Sequence, residues 1–102
     1  MAGEITLIAR IRAAKGKADA LEQVLMEMAE VVRREEPGCL AYRPHRSTTD
    51  PDLFIFYEQY KDAAAREFHS KGPHLVPYRE RRQREGLQDG PPQIEVCIAL
   101  TD

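Results

Sequence analysis

The sequence predicts an α+β fold, a ferredoxin-like sandwich with the element order β-α-β-β-α-β. Segments that alternate apolar and polar residues, as strands do, flank segments that repeat apolar residues every three or four positions, as helices do. The connections are short, and right-handed crossovers place both helical regions on the same side of one sheet. A length of 102 residues is that of one domain, which we expect to span residues 1–102.

The first half of the chain is predicted to form a strand, a helix and a second strand. Residues 4–12 alternate, with apolar side chains on one face. Apolar residues then recur at helical spacing over about five turns, and Pro37-Gly38 ends this helix. They are Ala18, Leu21, Val24, Leu25, Met28, Val31 and Val32. Residues 39–47 form the second strand, in which Pro44 indicates an edge position or a β-bulge.

An aromatic third strand is predicted at residues 53–60, after a hairpin turn at 48–52. One face of this strand carries two phenylalanines, a tyrosine and a carboxylate, namely Phe54, Phe56, Glu58 and Tyr60. A carboxylate on an aromatic face needs a partner. We therefore expect Glu58 to form a cross-strand ion pair with Arg10 or Arg12 on the neighbouring first strand.

The last third of the chain is predicted to contain an interrupted helix and a final strand. Asp62 can cap a helix over residues 63–69, and a Gly-Pro step then interrupts it. A second helix covers residues 74–85, with Pro77 tolerated in its first turn. Residues 93–100 alternate again and complete the sheet.

Composition excludes several classes of function. With 15 basic and 17 acidic residues the net charge is −2, which argues against a nucleic-acid surface. The sequence has no apolar run long enough for a membrane span, so we expect no membrane partner. Cys39 and Cys97 lack the spacing of metal or redox motifs. We interpret both as buried small apolar residues in a reducing compartment, and we expect a cytoplasmic protein.

The sheet predicted here has one face that the helices do not cover. That face still carries large side chains in several strands, which a monomer would leave in water. Pairing two sheets face to face removes them from water. We therefore expect a homodimer through the sheet face, or a larger assembly.

His69 is the leading candidate for a catalytic residue. It lies at the end of a short helix before the Gly-Pro step, and imidazole exchanges a proton near neutral pH. The alternative is a helix-terminal histidine that interacts with the helix dipole. His74 is either a surface residue or a substrate contact. Because the break gives the two rings no fixed spacing, we expect no metal site.

Aromatic side chains near the end of the third strand and the short helix that follows it are the candidates for substrate binding. The alternative is a purely structural role in the core. Together with His74 they are Tyr60, Phe56, Phe68 and Tyr42. The run that contains Arg79, Arg81, Arg82 and Arg84 is interrupted by a glutamate. It indicates a solvated helix face, with an anion site as the alternative. No nucleotide-binding or flavin-binding motif occurs in the sequence.

The ordered set of motifs resembles the antibiotic biosynthesis monooxygenase family, which comprises small dimeric α/β-barrel proteins. The motifs are Lys15-Gly16-Lys17, Glu36-Pro-Gly-Cys-Leu-Ala-Tyr42, Asp50-Pro-Asp-Leu-Phe-Ile-Phe-Tyr-Glu58 followed by Tyr60, and finally His69 with His74. The resemblance implies oxidation of quinols or polyphenolic polyketides by molecular oxygen, with no metal, flavin or haem cofactor. It also implies a pocket between sheet and helices, in which His69 deprotonates or orients a phenol and Tyr60 lines the cavity.

Departures from the family pattern narrow this expectation. The polyketide-oxidising and haem-degrading branches use an Asn and a Trp that would correspond to Phe56 and Tyr60. This chain contains neither Asn nor Trp. The resemblance therefore favours the quinol-oxidising branch, or a relative with isomerase activity.

We therefore expect a monooxygenase that oxidises a quinol or a small hydroxylated aromatic in a pocket walled by Phe56, Tyr60 and Phe68. Two alternatives remain open. One is an isomerase of a small phosphorylated or hydroxylated metabolite, which needs an anion partner, and Arg10, Arg12 or Arg43 are candidates for it. The other is a dimer that binds a small molecule without catalysis.

Overall fold

The computed structural model describes residues 3–101 and contains the predicted elements in the predicted order. The strands are β1 (Ile5–Arg12), β2 (Cys39–Arg46), β3 (Leu53–Tyr60) and β4 (Gln93–Cys97). The helices are α1 (Ala18–Glu35), α2 (Ala63–Lys71) and α3 (Val76–Arg84), with a short 3₁₀ turn over Pro73–Leu75. The last strand ends earlier than predicted. In its register Thr6 faces Cys97, so β1 offers almost no backbone beyond that pair.

Within the described residues the strands form one four-stranded sheet in the order β2-β3-β1-β4, with antiparallel neighbours. The β1–β3 pairing is regular from Ile5↔Tyr60 to Arg12↔Leu53. Strand β2 lies at the edge of the sheet, as Pro44 predicted. Its register shift lies between Cys39 and Ala41, whereas Pro44 pairs regularly with Phe56. This topology confirms the ferredoxin-like α+β fold.

The helices cover one face of the sheet, and the core lies between the helices and that face. The apolar stripe of α1 is fully buried at Leu21, Val24 and Val32, where it contacts β-strand side chains such as Phe54 and Phe56. Burying each such side chain contributes about 1.5–3 kcal/mol to folding. None of the described helices is long and apolar enough to cross a membrane.

Local capping explains where the shorter helices begin. Asp62 accepts a hydrogen bond from the backbone N–H of Ala65 at 2.8 Å, so it caps α2 as predicted. Helix α3 begins at Val76, which places Pro77 in its first turn, where a missing N–H does no harm.

The other sheet face is open and mixed in character. It carries Ile55, Tyr57 and Arg43, because alternate side chains along each strand point away from the helices. Arg10 and Arg12 also lie on this face, and Arg12 forms an ion pair with Asp50 at 2.9 Å. Cys39 and Cys97 are free thiols, as expected, but the prediction that they are buried is wrong, because both are only partly buried.

Candidate active site

A cavity of about 230 Å³ lies between the sheet and the helices. Its apolar floor is formed by side chains from the helix-facing side of the strands, including Leu7, Ala9 and Phe56. Its polar walls come from α2, α3 and the end of β3. The cavity therefore combines an apolar surface for a flat ring with several ionisable groups on its edge.

His69 stands at this cavity between two tyrosines. Its ring centroid lies 5.1 Å from that of Tyr42 and 5.4 Å from that of Tyr60. Tyr42 in turn packs on Phe56 with centroids 4.9 Å apart. These rings restrict the imidazole to one orientation, which is what an acid or base at the cavity edge requires.

A buried carboxylate holds both histidines of this region. The Glu36 side chain is 1% exposed, and Nδ1 of His69 lies 2.9 and 3.0 Å from its two oxygens. Nε2 of His74 lies 2.7 Å from Oε2 of the same carboxylate. The histidine side chains are 13% and 14% exposed. Because a carboxylate accepts and does not donate, Nδ1 of His69 and Nε2 of His74 are the protonated nitrogens here.

This arrangement leaves one nitrogen of His69 available. Nε2 has no hydrogen-bond partner in the part of the chain that the structure describes, and His69 lines the cavity. With its proton on Nδ1, a neutral His69 presents a lone pair on Nε2. Glu36 thus selects the tautomer in which the free nitrogen is a base.

Local sequence brings these groups together from distant positions. Glu36 follows α1 directly and precedes the Pro-Gly step that ends it. The His74 ring reaches Glu36 by folding back over Gly72, where a β-carbon would collide with the ring. A glycine is therefore needed at position 72 for close approach, although its φ of −62° is ordinary.

A second carboxylate, Glu58, lies in the cavity wall and accepts a 2.7 Å hydrogen bond from the Tyr60 hydroxyl. Burial is the main cause that raises the pKa of Glu58 above its ordinary range. Burial, and then the nearby Glu58, raise the pKa of Tyr60. The predicted ion pair of Glu58 with Arg10 or Arg12 is wrong, because those arginines lie on the opposite face of the sheet.

Helix α3 places arginines on two different sides. Arg81 and Arg84 point outward and lie within 4 Å of Glu85. Arg79 and Arg82 line the cavity instead. Arg79 donates to the backbone carbonyls of His69 and Ser70 at 3.2 and 2.9 Å. The predicted solvated face therefore describes Arg81 and Arg84, whereas Arg79 and Arg82 line the cavity, which leaves the alternative of an anion site open for them.

The structure brings most of the predicted site residues together. His69, Tyr60, Phe56 and Tyr42 all line the cavity. Phe68 and His74 do not. The Phe68 ring is 51% exposed on the outer side of α2, where it stacks on His74 at 5.5 Å. The prediction that Phe68 walls the pocket needs this correction, because residues 68 and 69 point to different sides of one helix.

Sequence reasoning assigned no role to Glu36, and it named Arg79 and Arg82 only within the basic run whose alternative interpretation was an anion site. The only sequence signal for Glu36 was its place in the motif before Pro37-Gly38. Within residues 3–101, no cluster of three or more His, Cys, Asp or Glu side chains is placed to hold a metal ion.

Comparisons with known proteins agree with the fold. Residues 4–81 match the family model described as antibiotic biosynthesis monooxygenase. A solved structure from Pseudomonas aeruginosa is 38% identical, with a TM-score of 0.83 over 99% of this chain and 98% of that one. A Caulobacter crescentus protein, named as a candidate antibiotic biosynthesis monooxygenase, is 27% identical, with a TM-score of 0.87 over 97% and 92% of the two chains.

An uncharacterised protein from Synechocystis sp. is 31% identical over 62 residues. The match covers 61% of this chain but only 40% of that longer relative. The family model spans most of the chain, including β1, α1, β2, β3 and the Glu36–His69–His74 cluster. On these grounds the chain belongs to the antibiotic biosynthesis monooxygenase family.

Proposed function

We propose that this protein oxidises a quinol or a small hydroxylated aromatic with molecular oxygen, without a cofactor, and that His69 is the catalytic base. The observation that carries the proposal is the position of His69 at an aromatic-lined cavity, where Nδ1 is held by buried Glu36 and Nε2 has no partner among the described residues. The monooxygenase family supports an oxidation of this kind.

In the first step Nε2 of His69 accepts the phenolic proton of the substrate. The product of that transfer is an imidazolium bound to the Glu36 carboxylate through Nδ1–H, which is a charge-assisted hydrogen bond. The stronger attraction between opposite charges favours the proton-transferred state. Loss of the proton leaves an electron-rich phenolate against the apolar floor of the cavity.

The phenolate can then reduce oxygen by one electron, which gives an aryloxyl radical and superoxide. These combine at an unsubstituted ring carbon to form a C–O bond, and the peroxide takes the proton from His69. Loss of the C–H proton at that carbon and cleavage of the O–O bond leave one oxygen atom on the ring as a carbonyl. The other leaves as water, so the ring loses two hydrogen atoms and gains one oxygen atom.

Oxygen uptake tests this proposal. Wild-type protein would be compared with His69→Gln on 1,4-dihydroxynaphthalene and 1-naphthol, after subtraction of autoxidation in buffer. His45→Gln is the matched control, because His45 lies on the open face and bonds the Ile55 carbonyl. We expect saturable uptake in wild type and control, a loss of about a hundredfold or more in His69→Gln, and one ¹⁸O atom per product from ¹⁸O₂. Equal uptake in all three proteins would remove His69 from the mechanism.

An isomerase of an anionic metabolite is the second candidate function. Arg10 and Arg43 cannot serve as its anion partner, because they lie on the open face. Arg79 and Arg82 in the cavity wall favour it instead. Two results together would select the isomerase. The protein would exchange hydrogen atoms of a bound substrate with D₂O in the absence of oxygen, and it would show no oxygen uptake in the assay above. A binding dimer without catalysis would show thermal stabilisation by a ligand and neither reaction.

We also propose a cytoplasmic homodimer that pairs through the open sheet face. Supporting this, Tyr57 is partly exposed there, and Ile8 and Ile55 on the same face are only partly buried. Apolar residues in such positions are removed from water when two sheets pack together. Light scattering on the purified protein measures the assembly directly.

A further inference from the structure

Two arginines separate the aromatic cavity from a second, polar groove. Arg79 and Arg82 line both the 230 Å³ cavity and an adjacent groove of about 390 Å³. The groove is otherwise bounded by the segment after α3, including Gln88 and Gly90. A ligand that fills the cavity therefore lies against the same two arginines that line the groove.

Arg82 has fewer hydrogen-bond partners than Arg79. Its Nη1 donates to Oε1 of Gln88 at 3.1 Å, but its Nε is buried and has no hydrogen-bond partner among residues 3–101. A buried cationic donor without a partner is unfavourable, and proteins seldom retain one. Burial also lowers the pKa of Arg82, as expected for a cation withdrawn from water.

The protein itself supplies no anion to this pair. In the part of the chain that the structure describes, neither Arg79 nor Arg82 forms an ion pair, whereas Arg81 on the same helix pairs with Glu85 at 3.2 Å and with Glu27 at 3.7 Å. Arg79 already spends two donors on the carbonyls that end α2. Arg82 therefore keeps N–H donors without a partner on a planar guanidinium, the group that suits a carboxylate or phosphate.

From these contacts we infer that the substrate is a hydroxylated aromatic that also carries an anionic substituent, which Arg82 binds at the boundary between cavity and groove. The ring lies on the apolar floor, and the anion lies against the guanidinium group of Arg82, which no carboxylate among residues 3–101 neutralises. The cavity alone is smaller than the usual 300–1,000 Å³ of ligand pockets, whereas cavity and groove together fall inside that range. This inference rests on the proposed site, and it adds the class of substrate.

Binding of compounds that cannot be oxidised tests the inference separately from oxygen chemistry. The probes are 2-naphthoate, the neutral 2-naphthalenemethanol of similar shape, and 2-naphthyl phosphate, measured by calorimetry on wild-type protein. We expect 2-naphthoate or the phosphate to bind about tenfold or more tightly than the alcohol, because hydrogen bonds to charged groups are the strong ones. Whichever anion binds more tightly identifies the preferred substituent.

Variants then assign the preference to one residue. Arg82→Gln should lose it, Arg82→Lys should retain part of it, and Arg84→Gln should retain it fully, since Arg84 points outward to Glu85. Equal affinity of wild type for anion and alcohol, absence of anion binding, or a preference that survives Arg82→Gln would each overturn the inference. The comparison of anion and alcohol on wild-type protein tests the inference even if Arg82→Gln fails to fold.

The two proposals fail in different ways. Anion preference without oxygen uptake on any substrate would remove the monooxygenase proposal and keep the anion site. Oxygen uptake by a protein that shows no anion preference would remove the anion site and keep the monooxygenase proposal.

Discussion

Replacing Glu36 by glutamine is the sharpest test of the site, because it changes one atom of a shared carboxylate. Glu36 accepts from His69 and His74 at 2.7–3.0 Å and is almost completely buried. An amide has one oxygen to accept with, and its nitrogen can only donate. Oε2 accepts from both rings, so an amide oxygen in its place keeps both bonds only by putting the NH₂ group at the position of Oε1, 3.0 Å from Nδ1 of His69. Two donors then face each other there, and His69 must move its proton to Nε2 or turn away from the amide.

The magnitude follows from the bonds that are lost. Hydrogen bonds to a charged group contribute about 1.5–3 kcal/mol each, and neutral ones about 0.5–1.5 kcal/mol. If both hydrogen bonds to the charged carboxylate become hydrogen bonds to a neutral amide, the free energy of unfolding falls by about 2 kcal/mol. For a domain of this size that is a fall in Tm of about 8 °C. The matched control is Glu67→Gln, which breaks an exposed Lys71 pair and should lower stability by less than about 0.5 kcal/mol.

Nitrogen NMR provides a readout that stability alone would not move. In wild-type protein near neutral pH we expect the ¹⁵N shifts of neutral His69 to report a protonated Nδ1 and an unprotonated Nε2. In Glu36→Gln that population should fall, and oxygen uptake should fall with it at unchanged substrate affinity. A wild-type His69 that is protonated on Nε2, or a variant with the same tautomer and the same kcat, would refute the reasoning.

Three further predictions concern other parts of the molecule. Because burial raises the pKa of Glu58, the folded state holds its proton more tightly than the unfolded chain, and stability is lost as pH rises from the ordinary carboxyl range through the folded pKa. Glu58→Gln keeps an acceptor for Tyr60, so it should gain stability relative to wild type between pH 4 and pH 8 in thermal melts; a difference that is constant with pH would contradict this. Burial raises the pKa of Cys39 to about 12, so iodoacetamide at pH 8 should modify Cys39 about a hundredfold more slowly in folded than in unfolded protein, as followed by peptide mass spectrometry. Tyr57→Asp on the open sheet face should halve the mass seen by light scattering, whereas Met26→Asp on the exposed side of α1 should not.

The fold was predictable because its signals are local. Alternation marks β1, and α1 carries an uninterrupted apolar stripe that the structure buries. The cap at Asp62 and the position of Pro77 are likewise decided within a few residues. Each of these features depends on neighbours in sequence, which is the range over which periodicity and capping rules apply.

The site was only partly predictable because its contacts are long-range. Glu36 bonds His69 and His74 across 33 and 38 residues, and neither separation follows from a helix or strand period. Helix α3 has no apolar stripe, and none of its residues, all of which the structure describes, is buried. Periodicity therefore had no means to identify which of its arginines face the cavity.

Sharing one carboxylate gives the two histidines different roles. Both donate to Glu36, but only His69 lines the cavity, whereas Nε2 of His74 is the nitrogen that faces the carboxylate. A carboxylate with a single donor in a buried position would retain unsatisfied lone pairs, so the second ring stabilises it in place. His74 and the glycine that admits its ring thereby fix Glu36, and Glu36 fixes the tautomer of His69. The reactivity proposed for one nitrogen in the cavity thus depends on a residue that does not touch the cavity.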